Sequence, residues 1–120
     1  IIGYEIGKLL KKETIFCERV SGKFTLRRGF SIRKNAKVLI IEDVITTGKS
    51  SLECVKLIRK SKAKLIGFAC IIDRSNKKTL KINNIIVSQV KIDIPTFTNN
   101  NLPGYLKKIP ITVPGSRLLK

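Results

Sequence analysis

The 120 residues contain no histidine, no methionine and no tryptophan, and only 8 acidic side chains stand against 25 Lys and Arg. Without histidine there is no imidazole general base and no His-ligated metal. The three cysteines, Cys17, Cys54 and Cys70, are odd in number, far apart and free of any CxxC pair. That argues against a disulfide framework or a zinc site and for a reducing compartment, the cytoplasm. No apolar run approaches the ~20 residues of a membrane span; the longest covers only 65–72. The opening stretch already holds Glu5, Lys8, Lys11 and Lys12, which is not the pattern of a secretory signal. Methionine is missing even from the first position, which is Ile1, so the expectation is a longer protein whose N-terminal part precedes it.

Hydrophobic residues make up 42 %, too many for a disordered basic tail, and the length suits one domain over 1–120. A net charge of +17 invites a nucleic-acid partner. The residues behind it point elsewhere. There are 18 Lys and 7 Arg beside 19 Ile and 7 Asn, a bias that A/T-rich codons produce unaided. The lysines are spread along the chain, aromatic residues for base stacking are few, and no nucleic-acid-binding motif stands out. A small anionic substrate suits the charge equally well, and nucleic-acid binding is not expected.

Ile2, Ile6, Leu9 and Leu10 share one helical face. Thr14 to Cys17 reads as a short strand, and Ser21 to Gly29 as a basic, mobile loop. Val38 to Ile41 is an unbroken aliphatic run, the pattern of a strand buried on both faces. Val44 to Gly48 reads as a turn, Lys49 to Ser61 as a helix, Leu65 to Ile72 as a second buried strand, and Ser75 to Lys81 as a polar loop. Ile85 to Val90 is a further strand, and the chain from Pro95 onward reads as an irregular tail. Strand, helix and strand with short connections make a βαβ unit and a parallel sheet, whose ligands bind beyond the carboxyl ends of the strands. Glu42, Asp43, Asp73 and Arg74 fall at that edge.

The informative stretch is Val38-Leu-Ile-Ile-Glu-Asp-Val-Ile-Thr-Thr-Gly-Lys-Ser50. A buried strand delivers two adjacent carboxylates, and a turn with two Thr and a Gly leads into a helix. Backbone N–H groups of the turn and the positive end of the helix suit a phosphate. Hydroxyls of Thr46, Thr47 and Ser50 add hydrogen bonds, and Gly48 lets the backbone approach closely. Two carboxylates would repel a second phosphate but accept well from a vicinal diol. The combination suits a sugar phosphate. Neither GxxxxGK[ST] nor GxGxxG is present.

This stretch resembles the phosphoribosyl pyrophosphate (PRPP) motif of type I phosphoribosyltransferases. Ile2-Gly-Tyr-Glu5, Glu18 to Phe30, Asp73-Arg-Ser75 and Pro114-Gly-Ser-Arg117 look like the bacterial orotate phosphoribosyltransferases within that family. The resemblance covers essentially the whole chain and implies a parallel sheet flanked by helices, with roughly the first third of the enzyme preceding Ile1. It implies transfer of phosphoribose from PRPP to N1 of orotate, giving orotidine 5'-monophosphate and pyrophosphate in UMP biosynthesis. Glu42 and Asp43 would hold the ribose hydroxyls. Val44, Ile45, Thr46, Thr47, Gly48, Lys49 and Ser50 would complete the PRPP site, with the 5-phosphate wrapped by 46–50. Thr46 and Arg74 match orotate-contacting positions, and a guanidinium suits a carboxylate. Arg19 to Gly29 matches a mobile catalytic loop that closes over the neighbouring subunit of a homodimer. Lys23 and Arg19 are its catalytic candidates, and Lys23, Arg27 and Arg28 could neutralise departing pyrophosphate. Mg²⁺ would arrive on the phosphates of PRPP, with no protein metal site.

Some features depart from the pattern. The loop lacks the His of many relatives, and Asn101-Leu-Pro-Gly104 stands where some carry a Cys pair. The family's pyrophosphate-contacting loop would lie before Ile1, so the isolated chain is expected to be inactive. Two alternatives stay open: transfer to a purine base, and a PRPP-sensing regulator that binds RNA or DNA.

Overall fold

In the computed structural model of the chain, residues 1–76, 80–95 and 97–110 are described. Pro114 to Arg117 and part of the expected loop 75–81 lie outside them. Helix α1 (Ile2–Leu10) is followed by a hairpin of β1 (Cys17–Val20) and β2 (Lys23–Leu26). Then come β3 (Lys37–Ile45), α2 (Lys49–Lys60), β4 (Lys64–Asp73) and β5 (Ile86–Lys91). A 3₁₀ turn (Asn99–Asn101) and a short helix, α3 (Gly104–Lys107), interrupt the tail that the composition marks as irregular.

The central sheet is parallel, in the order β3-β4-β5, and β3–α2–β4 is the expected crossover unit. Helix α2 seals one face. Ser51, Val55 and Ile58 recur at helical spacing and are its buried residues. Around them pack Ile40, Ile45, Phe68, Cys70 and Ile82. Ile82 enters this core from the connection between β4 and β5.

The strands are not buried on both faces. Leu39, Ile71 and Val87 stay 39, 43 and 62 % exposed. Helix α1 approaches that side, with Gly3 near the Ile41 side chain. Nor does α1 bury the face expected of it. Ile2 and Ile6 are half-buried, but Leu9 and Leu10 are exposed. The buried position is Gly7, where a Cβ would overlap the Thr14 hydroxyl; Thr14 in turn donates to Gly3 O at 3.2 Å. Close backbone approach, which a scan for apolar spacing ignores, sets this contact.

Two boundaries move. The expected strand 14–17 begins only at Cys17. The expected loop 21–29 contains β2, paired antiparallel with β1. Ser21 and Gly22 both have positive φ, 46° and 79°, the geometry of a tight hairpin turn that continues the twist of its strands. The glycines that suggested mobility include the one that makes the turn.

Candidate active site

Strand β3 runs four residues beyond its aliphatic stretch, because Glu42, Val44 and Ile45 continue the pairing with β4 at Cys70, Ile72 and Asp73. The carboxylates therefore sit within the last turn of the pleat, and the true turn is only Thr46-Thr47-Gly48. The end of β3 is fastened from the side: Arg74 N–H donates to Ile45 O at 2.8 Å. The turn is fastened from behind, where Lys81 N–H donates to Thr47 O at 3.2 Å.

Gly48 has φ 73°, in the left-handed region, and an added Cβ would meet the Ile82 side chain at 2.6 Å. Its lack of a side chain is required by backbone geometry and by packing against Ile82. The room left for an approaching ligand, expected from the sequence, is on that side taken by Ile82.

Residues 42–51 line one depression of about 190 Å³. The carboxylates of Glu42 and Asp43 and the first turn of α2 both border it. That turn contains no acidic residue, and no side chain caps it by the usual bond from the N-cap. Thr47 Oγ1 accepts from Lys49 N–H only at a long 3.4 Å. The leading N–H groups of a helix have no intrahelical acceptor, so they and the positive end of α2 remain available to an anion.

The two carboxylates differ. Asp43 is exposed, and its Oδ1 accepts from Val44 N–H at 2.7 Å. Glu42 is half-buried. Burial pushes its carboxyl above the ordinary range and neighbouring Asp43 adds to the rise, while a hydrogen bond from Ser51 opposes it. That bond runs from Ser51 Oγ to Glu42 Oε1 at 2.9 Å, and Ser51 itself is buried. Ser51 was not among the residues expected here. Its signal was its place four residues before Val55, on the buried face of α2.

Asp73, at the end of β4, is the opposite case. Burial pushes its carboxyl up, but the hydroxyl and N–H of Ser75 and the ammonium of Lys91 outweigh burial and hold it below the ordinary range. Ser75 N–H lies 2.8 Å from Oδ1 and Lys91 Nζ 3.5 Å from Oδ2. A carboxylate so saturated staples β4 to β5.

The other expected site residues do not line the depression. Arg74 reaches it through its backbone alone, and its side chain is exposed. Lys23 opens β2, exposed and without an ion pair among the described residues. Arg19 is engaged: its guanidinium pairs with Glu53 of α2 at 3.1 Å, donates to Gly22 O and lies 4.3 Å over the Phe24 ring. Arg27 and Arg28 both pair with Glu18, at 3.5 and 2.7 Å. Among the described residues no cluster of acidic or cysteine side chains could cage a metal ion.

This strand with its two carboxylates, three-residue turn and uncapped helix lies within residues 8–107, which the family model for the phosphoribosyl transferase domain matches. The chain belongs to that family. It is 42 % identical over 117 residues to the orotate phosphoribosyltransferases of Parvibaculum lavamentivorans (strain DS-1 / DSM 13023 / NCIMB 13966) and of Erythrobacter litoralis (strain HTCC2594). Each match covers 98 % of this chain and 60 % of the relative, so the chain spans about three-fifths of their length. A crystal structure of an adenine phosphoribosyltransferase shares the fold, with TM-score 0.61 at 16 % identity, over 73 % of this chain and 59 % of that one.

Proposed function

We propose that this chain carries the PRPP-binding and base-reading part of an orotate phosphoribosyltransferase. The observation that carries the reading is the depression at 42–51, bordered by a carboxylate pair and by an uncapped helix N-terminus. A ribose 5-phosphate would lie there with its phosphate on the turn and α2 and its ribose hydroxyls on Glu42 and Asp43. The relatives' name supplies the base.

In the reaction, N1 of orotate forms a bond to C1 of the ribose as the C1–O bond to pyrophosphate breaks, and the leaving group departs with the electron pair. Asp43 and Glu42 would hold the ribose while positive charge develops on the ring. Arg74 would pair with the orotate carboxylate and Thr46 would bond its ring. Lys23 and Arg19, on the hairpin, would meet the charge growing on pyrophosphate, which requires Arg19 to leave Glu53. Mg²⁺ would arrive on PRPP's oxygens, where it would screen the diphosphate. The reading extends to a cytoplasmic homodimer in UMP biosynthesis with the hairpin serving the partner's site. In that case, in the complete enzyme, a Lys23→Ala subunit mixed with an Asp43→Ala subunit regains turnover that neither has alone.

Calorimetry tests the division of roles. Asp43→Asn should weaken PRPP binding and leave the fold intact. Arg74→Ala should weaken orotate binding by about 2 to 4 kcal/mol, the loss typical of stripping one partner from a desolvated charge pair, and spare PRPP. Equal losses for both ligands in Arg74→Ala would refute the assignment. Adenine binding in place of orotate would favour a purine transferase, and salt-dependent RNA binding without orotate binding would favour a regulator.

A further inference from the structure

Two thiols outside the proposed chemistry face each other where the hairpin meets α2. Cys17 precedes Arg19 by two positions, so both side chains leave β1 on the same face. Cys54 directly follows Glu53, the ion-pair partner of Arg19. The Arg19–Glu53 bridge spans the same junction, and the Cys54 thiol hydrogen-bonds the sulfur of Cys17. Both are half-buried and unbonded as disulfide, whereas Cys70 is buried in the sheet core away from the hairpin.

We propose that Cys17 and Cys54 form a reversible disulfide site that staples the hairpin to α2 when a low-molecular-weight disulfide is present. The Cys17 thiolate attacks one sulfur of the small disulfide, forming a mixed disulfide and releasing one thiolate. The Cys54 thiolate then attacks the sulfur of Cys17 and expels the second. Two protein S–H groups and one RSSR become one protein S–S bond and two RSH, and excess thiol reverses the exchange. The order follows from the surroundings. Burial pushes both thiols up, with Glu42 of β3 adding to each. Cys54, which also faces Cys17 and Glu53, is pushed up to about 12, while the hydrogen bond from Cys54 eases the rise at Cys17. Arg19 of β1, two positions from Cys17, is held by Glu53.

The fold gives the bond a consequence. A two-stranded hairpin is marginal alone, and this one rests on α2 through Arg19 and its neighbours. A covalent tie at Cys17 would hold Arg19 and Lys23 on α2.

The test is to incubate the folded chain with excess oxidised glutathione, quench with acid, alkylate in denaturant and map the peptides by mass spectrometry. A peptide linking Cys17 to Cys54, with Cys70 alkylated, is expected, and dithiothreitol should restore all three thiols. In Cys54→Ser, Cys17 should instead collect as its mixed disulfide with glutathione. Hydrogen exchange of amides 17–26 should slow severalfold on oxidation of the wild-type chain. Full alkylation of all three cysteines, separate glutathionylation of Cys17 and Cys54 without a linked peptide, or unchanged hairpin exchange would each overturn the proposal. No readout depends on transferase activity.

Discussion

Replacing Ser51 by alanine removes a single oxygen, and its effect should depend on pH. In the folded chain that oxygen donates to Glu42 at 2.9 Å from a buried position. Hydrogen bonds to a charged acceptor contribute about 1.5 to 3 kcal/mol, and half-exposed Glu42 belongs at the low end, about 1.5 kcal/mol. To a neutral carboxyl the same bond is roughly half as strong. The folded pKa of Glu42 lies above its ordinary value of 4.5, so the folded state binds the proton more tightly than the unfolded one. Ionising Glu42 thus lowers stability as pH rises from 4.5 through the folded pKa, and the Ser51 hydroxyl limits that loss. Ser51→Ala should raise the Glu42 pKa further. In urea titrations it should cost about 1.5 kcal/mol near pH 7 and about half that near pH 4. A carboxyl-detected NMR titration reads the same shift directly. An equal cost at both pH values, or a Glu42 titration that does not move, would mean that the hydroxyl does not hold the charge. The Ser51→Ala, Glu42→Gln double variant separates this bond from the small packing change, because with Glu42 neutral the pH dependence should vanish.

Two further outcomes follow from the same region. Gly48→Ala forces a Cβ into a left-handed backbone position and into Ile82, and should destabilise by about 1 to 3 kcal/mol in urea; adding Ile82→Val should recover part of this, and a neutral Gly48→Ala would show that the turn is looser than described. Asp73 has a lowered folded pKa, so its contribution is present above its ordinary value of 3.8 and is lost as pH falls through the folded pKa. Asp73→Asn should therefore be less stable than wild type at neutral pH, with the gap closing below pH 3.8, and a gap that persists in acid would contradict the ionic role.

The parts of the fold that follow from side-chain pattern were legible in the chain itself. Aliphatic runs at 38–41 and 65–72, with a helical period between them, gave the βαβ unit, and the acidic pair with Thr-Thr-Gly marked residues 42–50, nine of the ten that line the depression. What was not legible depends on backbone proximity or on partners distant in sequence. Gly7 is buried because Thr14 fills the space of its missing Cβ, so the apolar face at Leu9 and Leu10 is left outside. The hairpin was hidden because positive charge and glycine resemble a loop until Glu18 and Glu53 are seen to neutralise Arg27, Arg28 and Arg19. Ser51 is hidden in the sequence because a serine after a turn expected to hold phosphate points to the ligand, while its hydroxyl is turned back to Glu42.

The turn at 46–48 has its rear wall in another part of the chain. Lys81 holds the carbonyl of Thr47, and Ile82 occupies the space behind Gly48. The thirteen-residue stretch is therefore not a portable cassette. Grafted onto another parallel sheet, it would carry its carboxylates, hydroxyls and helix start, but Gly48 would face an empty space and the turn would relax. A designer moving this site would have to transplant the 80–82 strap with it.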